Sequence, residues 1–252
     1  MPPKESPLQK LWIFDFDGTL SPLVPDRDAA ALLPEARELL SKLLKLAGQS
    51  VAVLSSRMLD DLIPRIRIKG LYLAGGSGAE WLLPNGERRT VDNKIKRLEG
   101  VRVSVMPELN KLSYIKGVDV EDKQWSVAVH VRHVSAEGRA RVLDFLAVLS
   151  RTTGVRLFRG PEVFEIQLLP EIDKLFGVIT LCEMLNFVPA PGSLVYAGDD
   201  ENDYTVMQWV IRKEGAALFV GKKPKISGIW EIQTPAALVS EVRKLAGLEM
   251  AT

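Results

Sequence analysis

Cysteine is almost missing from this chain of 252 residues. Cys182 stands alone, so no intramolecular disulfide can form, which fits a reducing compartment. Runs of like charge are missing too. Lys and Arg number 33 against 32 Asp and Glu, a formal net charge of +1 with the basic residues scattered, so neither a nucleic-acid patch nor a charged tail is indicated. No window reaches the roughly 20 apolar residues of a membrane span. The apolar stretch 11–14 behind the polar N-terminus is too short for a signal-peptide core and runs straight into Asp15. No Gly-x-x-x-x-Gly-Lys-Ser/Thr string occurs, which argues against a P-loop kinase. Internal repeats and low-complexity segments are absent as well. The expectation is a cytoplasmic protein with no nucleic-acid or membrane partner, a monomer by default.

What is present alternates. Residues 11–14 (Leu-Trp-Ile-Phe), 51–54 (Val-Ala-Val-Leu), 71–73 and 194–197 (Leu-Val-Tyr-Ala) are short, wholly apolar runs, the pattern of strands buried on both faces. Between them, 34–46, 58–68, 174–185 and 202–212 read as helices, and 235–245 as a final one; Pro34 and Pro235 stand at first-turn positions. A further strand is expected at 216–220. Such alternation predicts a doubly wound α/β domain with a parallel sheet. The character changes after Glu80. Pro84-Asn85-Gly86 signals a turn with a returning strand at 88–91, and 92–117 reads as mostly helical. Residues 124–134 then alternate, with Trp125, Val127, Val129 and Val131 opposite Ser126, Ala128, His130 and Arg132. Residues 163–168 do the same, with Phe164, Ile166 and Leu168 opposite Glu165 and Gln167. A helix at 136–149 and a short strand at 155–158 lie between them. These are half-buried, antiparallel-type strands, so an α+β domain over 81–166 is expected to interrupt a core made of 1–80 and 167–252.

In parallel sheets the functional groups gather at the carboxyl ends of the strands. Four polar signals stand there: Asp15-Phe16-Asp17-Gly18-Thr19, Ser55, Lys174, and Gly198-Asp199-Asp200 with Asp203. Each alone is unremarkable, since paired acids in a turn are usually caps and a lone lysine is usually surface. Together and in this order they suit phosphoryl transfer. A carboxylate can act as nucleophile, a second can shuttle the proton, and a magnesium ion held by oxygen ligands can bridge nucleophile and phosphate. Asp15, ending its strand, fits the nucleophile. Asp17, in the turn, fits the acid and base. Asp199 with Asp200 or Asp203 fits the distal metal carboxylates, while Lys174 supplies charge and Ser55 a short donor. Gly18 permits the sharp turn and frees Thr19 to offer its amide and hydroxyl.

These residues resemble the four motifs of the haloacid dehalogenase superfamily: 14–20 the first, Ser55 the second, Lys174 the third, and 198–203 the fourth. The resemblance implies a Rossmann-like core with an inserted cap of the α+β kind. It also implies Asp15 as nucleophile, Asp17 as general acid and base, and Mg2+ held by Asp15, the Asp17 carbonyl and Asp199. Within that superfamily the chain is most similar to the trehalose-6-phosphate phosphatases, over about 11–245. The similarity is carried by Thr19-Leu20 with Pro25-Asp26, by Leu54-Ser55-Ser56-Arg57 and by 73–80. Further on, Val129-His130-Val131-Arg132 and 164–174 carry it as well. It implies a sugar-phosphate substrate, a phosphate cradle of Gly18, Thr19, Ser55, Ser56, Arg57 and Lys174, and a sugar site drawing on Arg132, His130, Glu165 and Glu80. The chain departs from the family pattern at Ser77 (usually His), Leu175 and Ser56 (usually Gly), Asn202 (commonly Thr) and Tyr204 (usually Glu). Other sugar-phosphate phosphatases with the same cap, a silent phosphosugar-binding domain and a phosphomutase remain as alternatives. Trp81, Trp125 and Met207 are expected in the core.

Overall fold

The computed structural model describes residues 9–24, 26–160, 162–222 and 226–248. Pro25, one of the residues that carry the resemblance, lies outside them.

The chain begins with β1 (Lys10–Phe14), α1 (Pro34–Leu43), β2 (Gln49–Leu54), α2 (Leu59–Ile66) and β3 (Tyr72–Gly75). The hairpin β4 (Glu80–Leu82) and β5 (Arg88–Thr90) follows, then α3 (Asp92–Asn110), β6 (Asp119–Asp122), β7 (Ser126–His130), α4 (Ala136–Thr153), β8 (Arg156–Arg159) and β9 (Val163–Gln167). The chain returns through α5 (Lys174–Met184), β10 (Leu194–Gly198), α6 (Tyr204–Arg212), β11 (Ala216–Val220), β12 (Ile229–Ile232) and α7 (Pro235–Leu245).

Two sheets result. The larger has eight strands in the order β12-β11-β10-β1-β2-β3-β4-β5, and the smaller has four in the order β6-β7-β9-β8. From β12 to β3 the neighbours run parallel, whereas β4 and β5 are antiparallel. The fully apolar strands sit in the middle because both their faces are covered. One face of the sheet packs Trp12, Phe14 and Val53 against Leu39, Leu40 and Leu43 of α1 and Leu238 and Val242 of α7. The other packs Ile13, Leu54 and Tyr196 against Val178 and Leu181 of α5 and Val206 and Met207 of α6. Strand order reverses between β1 and β10, and a crevice opens at such a reversal outside the carboxyl ends. Asp15 and Asp199 follow those two strands.

The inserted sheet is antiparallel throughout and packs Val127, Val129, Phe164 and Ile166 against α3 and α4 in a core of its own. Several expected spans shift. The first helix ends at Leu43 rather than 46, and α4 runs on to Thr153, where Gly154 caps it at φ 75°. Strands β6 and β12 were not foreseen: Asp119–Asp122 carries a single apolar residue, and Ile229–Ile232, though apolar at three of its four positions, is very short. The expected boundary at residue 81 falls within β4, and the hairpin it opens is paired into the large sheet. Trp81, Trp125 and Met207 are buried as expected.

Candidate active site

Four backbone devices bring the polar groups together. The turn after β1 passes through Gly18 at φ 74°, and a Cβ there would lie 1.9 Å from Asp199 Oδ2. Only glycine lets the Asp199 carboxylate close over this turn. Lys174 opens α5, whose N-cap is Asp173, its Oδ1 accepting from the Phe176 amide at 2.9 Å. Ser55 leaves β2 with its hydroxyl oxygen accepting from the Arg57 amide at 3.1 Å, so the hydroxyl proton remains to be donated. The segment after β10 coils into a short 3-10 turn, Glu201–Asp203, that carries Asp203 back beneath Gly198.

Lys174 Nζ lies 3.0 Å from Asp15 Oδ1 and 2.6 Å from Asp203 Oδ1, all three side chains almost fully buried. Burial pulls the ammonium toward neutrality, but Asp15 and Asp203 outweigh it and raise its pKa. For the carboxylates burial wins. It pushes Asp15 up to about 7, with Lys174 opposing and Asp203 and Asp17 assisting. It pushes Asp199 up to about 9, helped by Asp15 and Asp203. Two carboxylates driven this way by burial and mutual repulsion are what a cation between them would relieve.

Asp15, Asp199 and Asp203 each place an oxygen within 4.8 Å of the others. Asp203 nonetheless has little left to offer an ion. Its Oδ1 accepts from Lys174 and from the Tyr196 hydroxyl at 2.5 Å, and its Oδ2 from the amides of Asp199 and Asp200 at 3.1 Å each. All four lone-pair positions are taken. Asp200, expected at the metal, accepts instead from the Glu201 amide at 2.7 Å as the cap of the 3-10 turn, and it is exposed. The oxygen donors of Asp15 and Asp199 therefore fit a hard divalent cation, with Asp203 as their scaffold.

Asp17 is gripped on both oxygens by Arg57, Nε to Oδ2 at 2.7 Å and Nη2 to Oδ1 at 2.8 Å. Arg57, expected in the phosphate cradle, faces Asp17 instead. Thr19 is buried, its amide donating to the Phe16 carbonyl at 3.3 Å and its hydroxyl without a partner among the described residues. Ser56 and Ser77 line a cavity with Lys174, Asn202, Trp125, Ser126, Glu165 and Gln167. That cavity runs from the core site to the inserted sheet. Gly76, at φ 54°, admits Trp125 so closely that a Cβ would meet its Cδ1 at 2.6 Å.

The inserted sheet turns its polar face toward this cavity, with β7 and β9 side by side. Glu165 accepts from Ser126 and, at 3.0 Å, from Lys123. Glu80 accepts from the Trp125 indole at 3.3 Å, bridging the two sheets. His130 meets Glu121 at 3.0 Å, and Glu121 reaches across to Arg27 of the loop after β1. Arg132 does not share the strand face with His130. Strand β7 ends at His130, and Arg132 lies in the following turn, paired with Glu162. Sequence reading missed Lys123, Glu121 and Tyr196. Lys123 and Glu121 sit in or beside the short, polar β6, and Tyr196 sits inside an apolar strand; neither setting marks them as site residues.

The family model described as trehalose-phosphatase matches residues 13–231. The trehalose-phosphate phosphatase of Mycobacterium tuberculosis is 35% identical over 194 residues, covering 75% of this chain and 48% of that protein. The chain thus spans about half the length of the curated relatives it matches. Among solved structures, the C-terminal domain of a C. albicans trehalose-6-phosphate phosphatase superposes with a TM-score of 0.76 at 18% identity, covering 96% of this chain and 93% of that one. A trehalose-6-phosphate phosphatase related protein gives 0.75 at 16%, with 95% and 98% covered. The structural likenesses concern the fold, while the family match runs through all four strand-end signals from Asp15 to Asp203. The chain belongs to the trehalose-phosphatase family.

Proposed function

We propose that the chain is a magnesium-dependent phosphatase that hydrolyses trehalose-6-phosphate to trehalose and phosphate. The observation that carries this is Asp15, buried at the strand-order reversal, 3.0 Å from Lys174 and beside Asp199. Asp15 Oδ attacks phosphorus while the bond from phosphorus to the sugar oxygen breaks, and Asp17 delivers a proton to that oxygen. Water then attacks the phosphorus of the aspartyl-phosphate. Asp17 takes its proton, the Asp15–phosphorus bond breaks, and phosphate and free Asp15 result. Lys174 balances the charge on Asp15 and the phosphoryl oxygens, and the Ser55 hydroxyl donates to one of them. Asp15 and Asp199, with the Asp17 carbonyl, would hold Mg2+, which supplies charge neutralisation between nucleophile and phosphate.

The inserted segment serves as the cap. Its Glu165 and His130, with Lys123 and Glu121 beside them and Glu80 opposite, carry the donors and acceptors that sugar hydroxyls need. Arg132 reaches the sugar only by leaving Glu162. The relatives that are trehalose-phosphate phosphatases support this substrate. Ser77, in place of the family's usual His, favours testing related sugar phosphates beside it.

The test is phosphate release with magnesium across trehalose-6-phosphate, sucrose phosphate, glucosyl- and mannosyl-phosphoglycerate and glucose-6-phosphate, for the native chain and Asp15→Asn. Preference for trehalose-6-phosphate, lost by at least about a thousandfold in the folded variant, is expected. Turnover of another member keeps Asp15 and reassigns the cap. No release from any ester, or full activity of the variant, overturns the phosphatase reading.

A further inference from the structure

The guanidinium of Arg57 has a third direction. While Nε and Nη2 grip Asp17, Nη1 points away and donates to Asp61 Oδ2 at 2.6 Å. The other oxygen of Asp61 accepts from Arg65, Nη2 at 2.7 Å and Nε at 3.2 Å. Arg65 Nη1 then donates to the carbonyls of Asp28 at 2.8 Å and Ala30 at 2.9 Å. A chain of charge-assisted bonds thus runs from Asp17 through Arg57, Asp61 and Arg65 to the loop that follows the first motif. Asp61 and Arg65 stand one turn apart on α2, so the helix sets their spacing.

A two-toothed grip orients a carboxylate only if the arginine is itself held. Arg57 is also steadied by the Arg27 carbonyl at 3.0 Å from Nη2 and by the Phe16 ring, 5.7 Å away. Neither carries charge. Among the described residues Asp61 is the one acidic partner of Arg57 besides Asp17. Without it the guanidinium can turn about its own axis, and the plane of the Asp17 carboxylate turns with it.

We propose that Asp61 is a positioning residue for proton transfer to the departing sugar: it fixes Arg57, and Arg57 aims Asp17. The inference rests on the reading of Asp17 as the group that protonates the sugar oxygen. Asp61 acts through Arg57 alone, and what separates substrates is the first step, in which the leaving oxygen needs a proton; the second, in which Asp17 takes a proton from water, is common to all of them.

Leaving-group dependence tests it. The kcat/KM of Asp61→Asn, which reports the steps up to departure of the leaving group and not the later hydrolysis common to all esters, is measured on trehalose-6-phosphate, or the sugar phosphate preferred in the panel, and on p-nitrophenyl phosphate, whose phenolate departs without a proton. The expected result is a fall of about 10- to 100-fold on the sugar ester and less than about threefold on the aryl ester. Arg57→Lys, which keeps the charge and loses the planar grip, is expected to show the same split. Asp60→Asn removes a neighbouring charge from the same first turn of α2, where Asp60 pairs with Arg88 at 2.6 Å, and is expected to change neither rate. Equal losses on both esters from Asp61→Asn, or no loss on either, overturn the proposal. Failure of the underlying reading looks different: the kcat/KM of Asp17→Asn would itself then fall equally on both esters.

Discussion

The carboxylate of Asp199 occupies the space that a side chain at Gly18 would fill, its Cγ 2.4 Å from where a Cβ would stand. The first and fourth motifs meet closely here, and the contact needs both the missing Cβ and the left-handed backbone of residue 18. Gly18→Ala is therefore expected to push Asp199 off the Asp15 side and to lower magnesium-dependent phosphate release by more than about tenfold. Normal turnover with an unchanged magnesium requirement would mean that the turn can move without disturbing the ion.

Asp203 has the opposite character, buried and saturated by Lys174, Tyr196 and two amides. In Asp203→Asn an amide group must face donors, and Lys174 keeps only Asp15 for its charge. A loss of stability of about 3–5 kcal/mol is expected, the scale for breaking a buried ion pair. Asp200→Asn, at the exposed cap position where asparagine serves equally well, is expected to change stability by less than about 0.5 kcal/mol. Urea unfolding of the two variants checks the contrast. Equal midpoints would place Asp203 among the metal ligands rather than beneath them.

Much of this was legible beforehand, for a physical reason. Residues 11–14 and 194–197 are apolar on both faces, so their parallel, central placement and the position of Asp15 and Asp199 at their ends follow from burial alone. What escaped was set by tertiary contact. Nothing in the string Asp200-Glu201-Asn202-Asp203 says that the first carboxylate caps a turn while the fourth folds beneath the site; that needs the 3-10 turn and the neighbours Lys174 and Tyr196. Arg132 was misplaced because alternation continues past His130 while the strand stops. Lys123 was invisible because the bend that aims it toward Asp17 and Glu165 comes from strand pairing, not composition.

Proton linkage gives a separate handle on the metal. Burial first, then neighbouring carboxylates, raises Asp15 to about 7 and Asp199 to about 9, whereas unfolded carboxylates titrate near 4. Between those values the native metal-free protein binds more protons than the unfolded chain, so its stability falls as pH rises. Magnesium, which requires the deprotonated forms, is expected to raise Tm more at about pH 8.5 than at about pH 5.5. Melting curves in chelator and in excess magnesium across that range check this; an equal shift at both ends would count against Asp15 and Asp199 as ligands.

Lys123 is expected to act on the sugar rather than on phosphate chemistry. It lies between Glu165 and Glu121, and although burial works to lower its pKa, Glu165 leads the carboxylates that raise it. Lys123→Ala is expected to raise KM for the preferred sugar phosphate by about tenfold while leaving p-nitrophenyl phosphate hydrolysis within about twofold. Loss on the aryl ester alone would move Lys123 to the phosphate end.

The pairing of Leu11 with Leu194, and of Phe14 with Ala197, also dictates an order of assembly during synthesis. The strand that leads to Asp15 is made long before β10 and lacks one edge until β10 emerges. The cap, contiguous from α3 to β9, has all its strands available earlier. The nascent chain therefore carries an apolar, half-paired strand until β10 is made. Contacts so distant along the chain form slowly, so the crevice between β1 and β10 takes shape only after all strands of the inserted sheet are available.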